Sequence, residues 1–509
     1  MSPRPLRFLA RQLGDLLLGV LVTVALFLCV EAVLRLAGFG AGHVPAPRHL
    51  AAGFDRNARV FEPDPDVPGG WRGRYSHERA LELVVPPKGA ARRVLLFGGS
   101  NTAELPEEVL EEALDARGPG DFEVLNLGRA GYGSTRVAIL FREALERLEP
   151  DVVVLYSGHN EFVEKSFAMD LQEAWSNPLE AALARALEST VTGRLLTGVL
   201  REDGDGGGRY ARLADWEAEY KKFAQASWEE TLTVWDAYEA NLRYMASLAG
   251  ERDVPLLLCT VVWNRFSPPR VDTPPAATAP ADVQEARRLQ GRAREEYPEP
   301  LRALLPARDR DRVHTFDWGR PLEALPEEEW PEPLPGQRPS TGWLAGRDPA
   351  HPAQKSGEPR VRVLFESLAW LGSDPAPAER AALERAATLL ARARELLPES
   401  ARVRYEQALV RYALGERGAA IRSAFEEAAR VDRAPRKANP LSNGRVRAVA
   451  AELEGVQLFD ADARFAEACP DGLVGWEWMV DHCHLSPGAG AALLEDMAGA
   501  VAGLVEGGG

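Results

Sequence analysis

Five short apolar runs constrain what this chain can fold into: Arg92–Gly98 (RRVLLFG), Phe122–Leu127 (FEVLNL), Asp151–Ser157 (DVVVLYS), Val254–Val262 (VPLLLCTVV) and Val456–Phe459 (VQLF). Each has strand length, and the apolar residues fall on consecutive rather than alternate positions, the pattern of a strand buried on both faces. Helical patterns separate the early runs. Pro106–Ala116 follows the first, with Val109, Leu110, Ala113 and Leu114 on one face, and Thr135–Leu148 follows the second. Strands and helices alternating in this order imply a parallel sheet covered by helices on both faces, so the expected core is α/β.

Two long insertions break the rhythm. Residues 164–250 read as mostly helical, interrupted by Gly204-Asp205-Gly206-Gly207-Gly208, and residues 264–375 read as a Pro-rich irregular segment or lid containing Trp318, Trp330 and Trp343. Residues 376–435 are Ala-rich and helical in blocks broken at Pro398 and Gly415. The spacing of Tyr405, Ala408, Tyr412, Gly415, Ala420, Phe425 and Ala428 is similar to the small-and-aromatic interlock of a tetratricopeptide repeat. A unit of this kind cannot bury its face alone. It is therefore expected to pack on the core, either as a plain helical spacer or as a site for a protein partner. The core itself is expected in two parts, 91–263 and 436–509, with 41–90 as a Pro-, Gly- and Arg-rich linker or lead-in.

Residues 1–40 carry a different message. Leu16–Val30 is uncharged and the apolar character resumes as far as Phe39, close to the roughly 20 residues a membrane-spanning helix needs. Arg4, Arg7 and Arg11 precede it, which places the N-terminal tip in the cytoplasm and everything after residue 40 in the periplasm or outside the cell. No small-residue cleavage site follows the run, which favours an uncleaved transmembrane helix over a signal peptide, and Cys29 reads as a membrane-facing residue within it. The formal net charge of -16 argues against a nucleic-acid partner, because such surfaces rely on clustered Lys and Arg. The cysteines at 29, 259, 469 and 483 form no CxxC pair, and Cys469 with Cys483 can be read as bridged or as free thiols.

The chemistry sits at the ends of the apolar runs. Gly98-Gly99-Ser100-Asn101-Thr102 puts a serine on a tight turn after the first, where α/β folds place ligands. Asn126-Leu127-Gly128-Arg129-Ala130-Gly131-Tyr132-Gly133 follows the second, offering backbone amides to an oxyanion or simply a Gly-rich turn. Gly158-His159-Asn160-Glu161 follows the third, with Asn160 as an oxyanion donor or a helix cap. Near the C-terminus Asp481-His482-Cys483-His484 precedes a last helix that begins near Pro487, a spacing at which Asp481 can hydrogen-bond the His484 ring. His159 and His482 read as packing residues. No His and carboxylate cluster has metal-ligand spacing, so no cofactor or metal is expected. Arg433, Arg436, Lys437, Arg445 and Arg447 form a basic stretch, read as a solvated helix face or as a surface steering an anionic substrate.

Taken in order, these four blocks resemble the SGNH (GDSL) hydrolases, whose blocks carry a serine, a glycine, an asparagine and a histidine. The resemblance covers residues 92–162 and 254–264 and resumes over about 446–500. It implies a flavodoxin-like three-layer α/β/α core, Ser100 as nucleophile, and an oxyanion hole made by the amides of Ser100 and Gly131 and the side chain of Asn160. His484 with Asp481 would complete the triad. Gly131 is preferred to Gly128 because it stands five residues after Asn126. Gly99 replaces the family's usual aspartate, and Glu161 stands where aspartate is common. The run Tyr156–Phe162 (YSGHNEF), the segment Thr260–Asn264 (TVVWN) and the helical block look like a bacterial subgroup that joins a membrane anchor and tetratricopeptide-like helices to this hydrolase. The expected activity is that of a serine esterase acting on acyl esters of carbohydrate or lipid outside the cytoplasm. The alternatives are an O-acyltransferase with the same triad and a membrane-tethered interaction protein whose hydrolase domain is inert.

Overall fold

The computed structural model describes residues 4–37, 60–73, 83–117, 121–165, 190–192, 227–269, 278–304, 367 and 369–507. The chain divides into two compact units. The smaller holds helix α1 (Arg4–Leu36) together with residues 190–192, and the larger holds nearly everything described from Phe61 onward. The Gly204–Gly208 stretch, the three tryptophans of the Pro-rich segment and much of 41–90 lie outside the described residues.

Helix α1 is 33 residues long, which at 1.5 Å per residue is about 50 Å. Its Leu18, Leu21, Val22, Leu26, Leu28 and Val33 are exposed. Glu31 accepts hydrogen bonds from Val191 N (3.1 Å), Thr192 N (2.8 Å) and Thr192 Oγ1 (2.8 Å), and pairs with Arg35 at 2.7 Å. A carboxylate on an apolar helix is thereby supplied with partners, which its burial requires.

The larger unit is built on strands β4 (Arg92–Gly98), β5 (Phe122–Asn126), β6 (Val152–Tyr156), β7 (Leu256–Cys259) and β8 (Val456–Phe459), all parallel, in the order β5-β4-β6-β7-β8. The chain moves from β4 to one side and then to the other, so the carboxyl end of β4 lies where the strand order reverses. The inner strands are β4, β6 and β7, and β6 and β7 are buried throughout. Val94, Leu96, Val152, Val154, Leu257 and Phe459 point to one face. There they meet helices α3 (Glu107–Asp115), α12 (Ala461–Ala468) and α13 (Pro487–Gly507) through Leu110, Leu114, Phe465, Leu493, Met497 and Val501. On the other face Phe97 packs on Phe141 of α4 (Ser134–Arg147), with ring centroids 4.9 Å apart. Helix α5 (Trp228–Gly250) packs on α4, and α11 (Pro440–Glu452) packs on α5. Preceding α3 is the single turn α2 (Ser100–Ala103), which carries Ser100 at its head.

The stretch Pro487–Glu506 is long and apolar enough to cross a membrane by length and composition. It lies within α13, whose Leu493, Met497 and Val501 are wholly buried against the sheet, and it is a core helix.

Helices α8 (Pro377–Leu396), α9 (Ala401–Ala413) and α10 (Ala419–Arg430) pack one on the next. They meet the loop after β7 through Phe266, whose ring lies 5.7 Å from Tyr412 and 5.4 Å from Phe425, and whose carbonyl accepts from Tyr405 Oη at 2.6 Å. Tyr405, Ala408, Tyr412, Phe425 and Ala428 are buried in this cluster, but Ala420 is exposed and Ile421 takes the inward position.

Other expectations need correction. The lead-in at 41–90 contains a small sheet, β1 (Phe61–Pro63), β2 (Trp71–Gly73) and β3 (Val84–Val85), too short to show a period in sequence. The segment 264–375, read as irregular, contains helices α6 (Pro280–Glu295) and α7 (Glu299–Leu304), with α6 packed on α8. The fourth run ends as a strand at Cys259, because beyond it the backbone donors turn to side chains: Val261 N bonds Asn443 Oδ1 and Val262 N bonds Tyr156 Oη. Replacing Met497 by Ala is expected to lower the unfolding free energy by about 2–5 kcal/mol. Leu232→Ala, at a half-exposed position, should change it by about 0.5 kcal/mol or less. Urea titration of both variants checks the pair.

Candidate active site

Gly98 ends β4, and a side chain there would run into Thr102 and the Tyr156 carbonyl. With no side chain in the way, Thr102 Oγ1 donates to Tyr156 O at 2.7 Å. The amides of Thr102 and Ala103 both bond Gly99 O, at 3.1 and 3.0 Å, and fold the chain into α2 directly after the strand. Ser100 is thereby set at the head of a tight turn and stays partly exposed. The absence of a side chain at Gly99 also has a local cause: a Cβ there would lie 2.5 Å from Asn160 Nδ2.

The second block is tied to the first through Asn126. Its Nδ2 donates to Thr102 O (2.8 Å) and Leu105 O (3.1 Å), and its Oδ1 accepts from Gly128 N (2.9 Å). Gly128 packs directly on the Ala103 backbone, whereas Gly131 has φ +73°, a left-handed conformation that favours glycine. The third block closes on the second, since Asn160 Nδ2 donates to Tyr132 O at 3.1 Å. An amide nitrogen carries two hydrogens, so the second remains for an oxyanion beside Ser100.

His484 Nε2 lies 2.7 Å from Ser100 Oγ, and His484 Nδ1 lies 2.7 Å from Asp481 Oδ2. Asp481 is buried and its Oδ1 accepts from the amides of Cys483 and His484, each at 2.7 Å. Burial alone would raise its carboxyl, but the imidazoles of His484 and His482 and these hydrogen bonds hold it well below the ordinary range. Burial alone would likewise lower His484, yet the Asp481 carboxylate holds the imidazole well above its ordinary value. Glu104 Oε1 lies 3.8 Å from His484 Nε2 at the open side of the site, and burial raises its carboxyl, with His484 opposing.

The loop carrying the acid and base is itself held. Asn264, wholly buried past the end of β7, donates from Nδ2 to Asp481 O (3.0 Å) and from its backbone N to His482 O (3.3 Å). In the sequence Asn264 stands out only as the end of the Thr260–Asn264 run, and its contacts show only once strand end and loop are adjacent. Asn101, given no role from the sequence, is buried beside Ser100, and its side-chain polar atoms have no hydrogen-bond partner.

His159 accepts from Ala438 N at Nδ1 (2.8 Å), and burial pulls it down to about 3, so it is a neutral packing residue. Asp481, Cys483 and His484 bring possible metal ligands together. Both imidazole nitrogens are already engaged, and burial pushes the Cys483 thiol up to about 12, which suits proton transfer better than ligation. All four cysteines are free thiols.

Three residues of the basic stretch face inward or pair with acids. Lys437 is buried, donates to Asn264 O (2.6 Å) and Ser267 O (2.7 Å), and is pulled down to about 7 by burial. Arg445 pairs with Asp236 and Glu239, and Arg447 with Asp460 and Asp462. Lys437, Arg445 and Arg447 are thus engaged with groups of the fold, which weighs against these three as a steering surface.

No family model, curated protein or solved structure matches the chain.

His484 is expected to titrate above ordinary histidine by NMR, and Asp481→Asn to bring it down. Its folded value exceeds its unfolded one, so its contribution to stability is complete below the unfolded value and lost as pH rises through the folded one. Asp481 behaves oppositely: its contribution is complete above its unfolded value and lost as pH falls through its folded one. Asn264→Ala, leaving the Asp481 carbonyl without its side-chain donor and the Phe266 amide without its acceptor, should cost about 1–3 kcal/mol.

Proposed function

We propose that this chain is a membrane-anchored serine ester hydrolase of the SGNH type, acting outside the cytoplasm on acyl esters of carbohydrate or lipid. The observation that carries the proposal is the unbroken chain from Ser100 Oγ through His484 to Asp481, with 2.7 Å at each step. The flavodoxin-like reading is supported by the strand order β5-β4-β6-β7-β8, and the serine stands at the end of the strand where such folds bind ligands.

In the proposed reaction His484 Nε2 takes the Ser100 proton as Oγ attacks the ester carbonyl. The oxyanion that forms is received by the amides of Ser100 and Gly131 and by Asn160 Nδ2, donors already oriented before reaction. Asp481 holds the ring tautomer and balances the imidazolium. His484 then gives the proton to the departing alkoxide, leaving an acyl ester on Ser100. A water, deprotonated by His484, attacks this ester and releases the acid.

Ser100→Ala and His484→Ala are expected to lower turnover on the order of 10^6-fold and Asp481→Asn on the order of 10^4-fold. Because the base must be neutral, kcat/KM should rise with pH along a limb set by the raised His484 value. A fluorophosphonate should label the wild type on Ser100. Wild-type turnover in Ser100→Ala, or absence of labelling, would end the proposal.

Anchoring is supported by the length and outward apolar side chains of α1 and by the arginines ahead of its apolar run. The full chain is expected to stay in alkaline-washed membranes and a chain lacking residues 1–40 to be released. Release of the full chain by the same wash would reject the anchor.

A further inference from the structure

Two acids that take no part in the proton relay lie behind the glycine turn. Glu161 and Glu164 sit on the helical turn 161–165, directly after Asn160, and both are buried. Glu164 accepts from Gly133 N (3.1 Å), Thr135 N (2.8 Å), Arg136 N (3.1 Å) and Arg136 Nε (2.8 Å). Glu161 accepts from Ser134 N at 3.1 Å and Ser134 Oγ at 2.6 Å. These amides belong to the first turn of α4, whose donors have no partner inside the helix and whose end favours negative charge. The helix after the second block is thus capped by the acids of the third.

Arg136 extends this cradle to the site. It is only 2% exposed, its Nε is on Glu164, its Nη2 donates to Gly131 O, and its guanidinium carbon lies 4.4 Å from the centre of the Tyr132 ring. Gly131, at φ +73°, is free of the steric limits that would fix another residue there. The Gly131–Tyr132 peptide, joined to the Gly131 amide through that one permissive Cα, must therefore be oriented from outside, and the amide is steadied through it. The carbonyl of Gly131 is held by Arg136 and that of Tyr132 by Asn160. Burial, then the nearby Glu164, raises the Glu161 carboxyl, while Glu164 pairs with Arg136 at 2.8 Å.

We infer that Arg136, braced by Glu164, is a positioning residue that holds the Gly131 amide in the orientation that receives the oxyanion. The inference rests on the serine-hydrolase reading of the site. A guanidinium suits the role because it donates in two directions from one plane while lying on an aromatic face, which an ammonium cannot do.

The test pairs Arg136→Lys, which keeps the charge opposite Glu164 but loses the fork, with the double variant Arg136→Gln/Glu164→Gln. The double variant removes both charges together, so no uncompensated charge is left buried. Each is assayed on an ester and on the matching thionoester, whose sulfur accepts hydrogen bonds poorly, with thermal unfolding in parallel. Both variants are expected to fold and to lose about tenfold or more in kcat on the ester with little change in KM. The thionoester rate should change much less, so the ester-to-thionoester ratio falls. Folded variants that keep the wild-type ratio would overturn the inference while leaving Ser100 labelling intact. Equal turnover of both substrates by Ser100→Ala and wild type would instead remove the reading on which it rests, and the inference with it.

Discussion

The site depends on the parallel pairing of β4 with β5 on one side and β6 on the other. Because parallel strands end at the same edge, the turns after all three leave the sheet together. The serine, the glycine turn and the asparagine are thereby neighbours before any side chain is considered. Gly98 lets α2 begin without a gap, and the Thr102 hydroxyl on the Tyr156 carbonyl locks that turn to β6. The position of Ser100 is therefore a property of the sheet and not of a flexible loop.

The other half of the relay arrives by a different route. The loop 478–486 is carried by α13, whose buried Leu493, Met497 and Val501 hold it against the sheet, and is pinned from the side by Asn264. Lys437 in turn bonds the Asn264 carbonyl, so the helical block that precedes α11 is linked to the acid-base loop through one buried residue. Buried charge is costly unless matched, and the larger unit observes this at Asp481 against His484 and Glu164 against Arg136. Both pairings fall beside Ser100 and the glycine turn, where they hold the proposed catalytic groups still.

Much of the fold was legible because buried parallel strands are nearly continuous apolar runs. The five strands lie within the five runs, α3 and α4 lie within two residues of their expected limits, and α13 begins at Pro487 as expected. The four blocks were legible for the same reason, since each follows a strand or precedes the last helix. What escaped was short or depended on partners. The strands at 61–85 are too brief to show alternation, and α6 was hidden by prolines around it. The charge of Arg445 and Arg447 was visible, but not that acids of α5 and of the segment after β8 would consume it. Asn264 and Arg136 carried no signal of their own, because a buried polar residue is recognisable only by the groups it satisfies.

The sequence by itself determined which segments form strands and helices and which residues stand at their ends, since both follow from local periodicity and from glycine, proline and capping chemistry. Asp481 and His484 are three residues apart, so their bond too was written locally. Only the tertiary structure decided that His484 reaches Ser100, 384 positions away. It also decided that the glycine turn is gripped from behind by Glu164 and Arg136. Those contacts arise from sheet order and helix packing, which bring together groups that no local pattern relates.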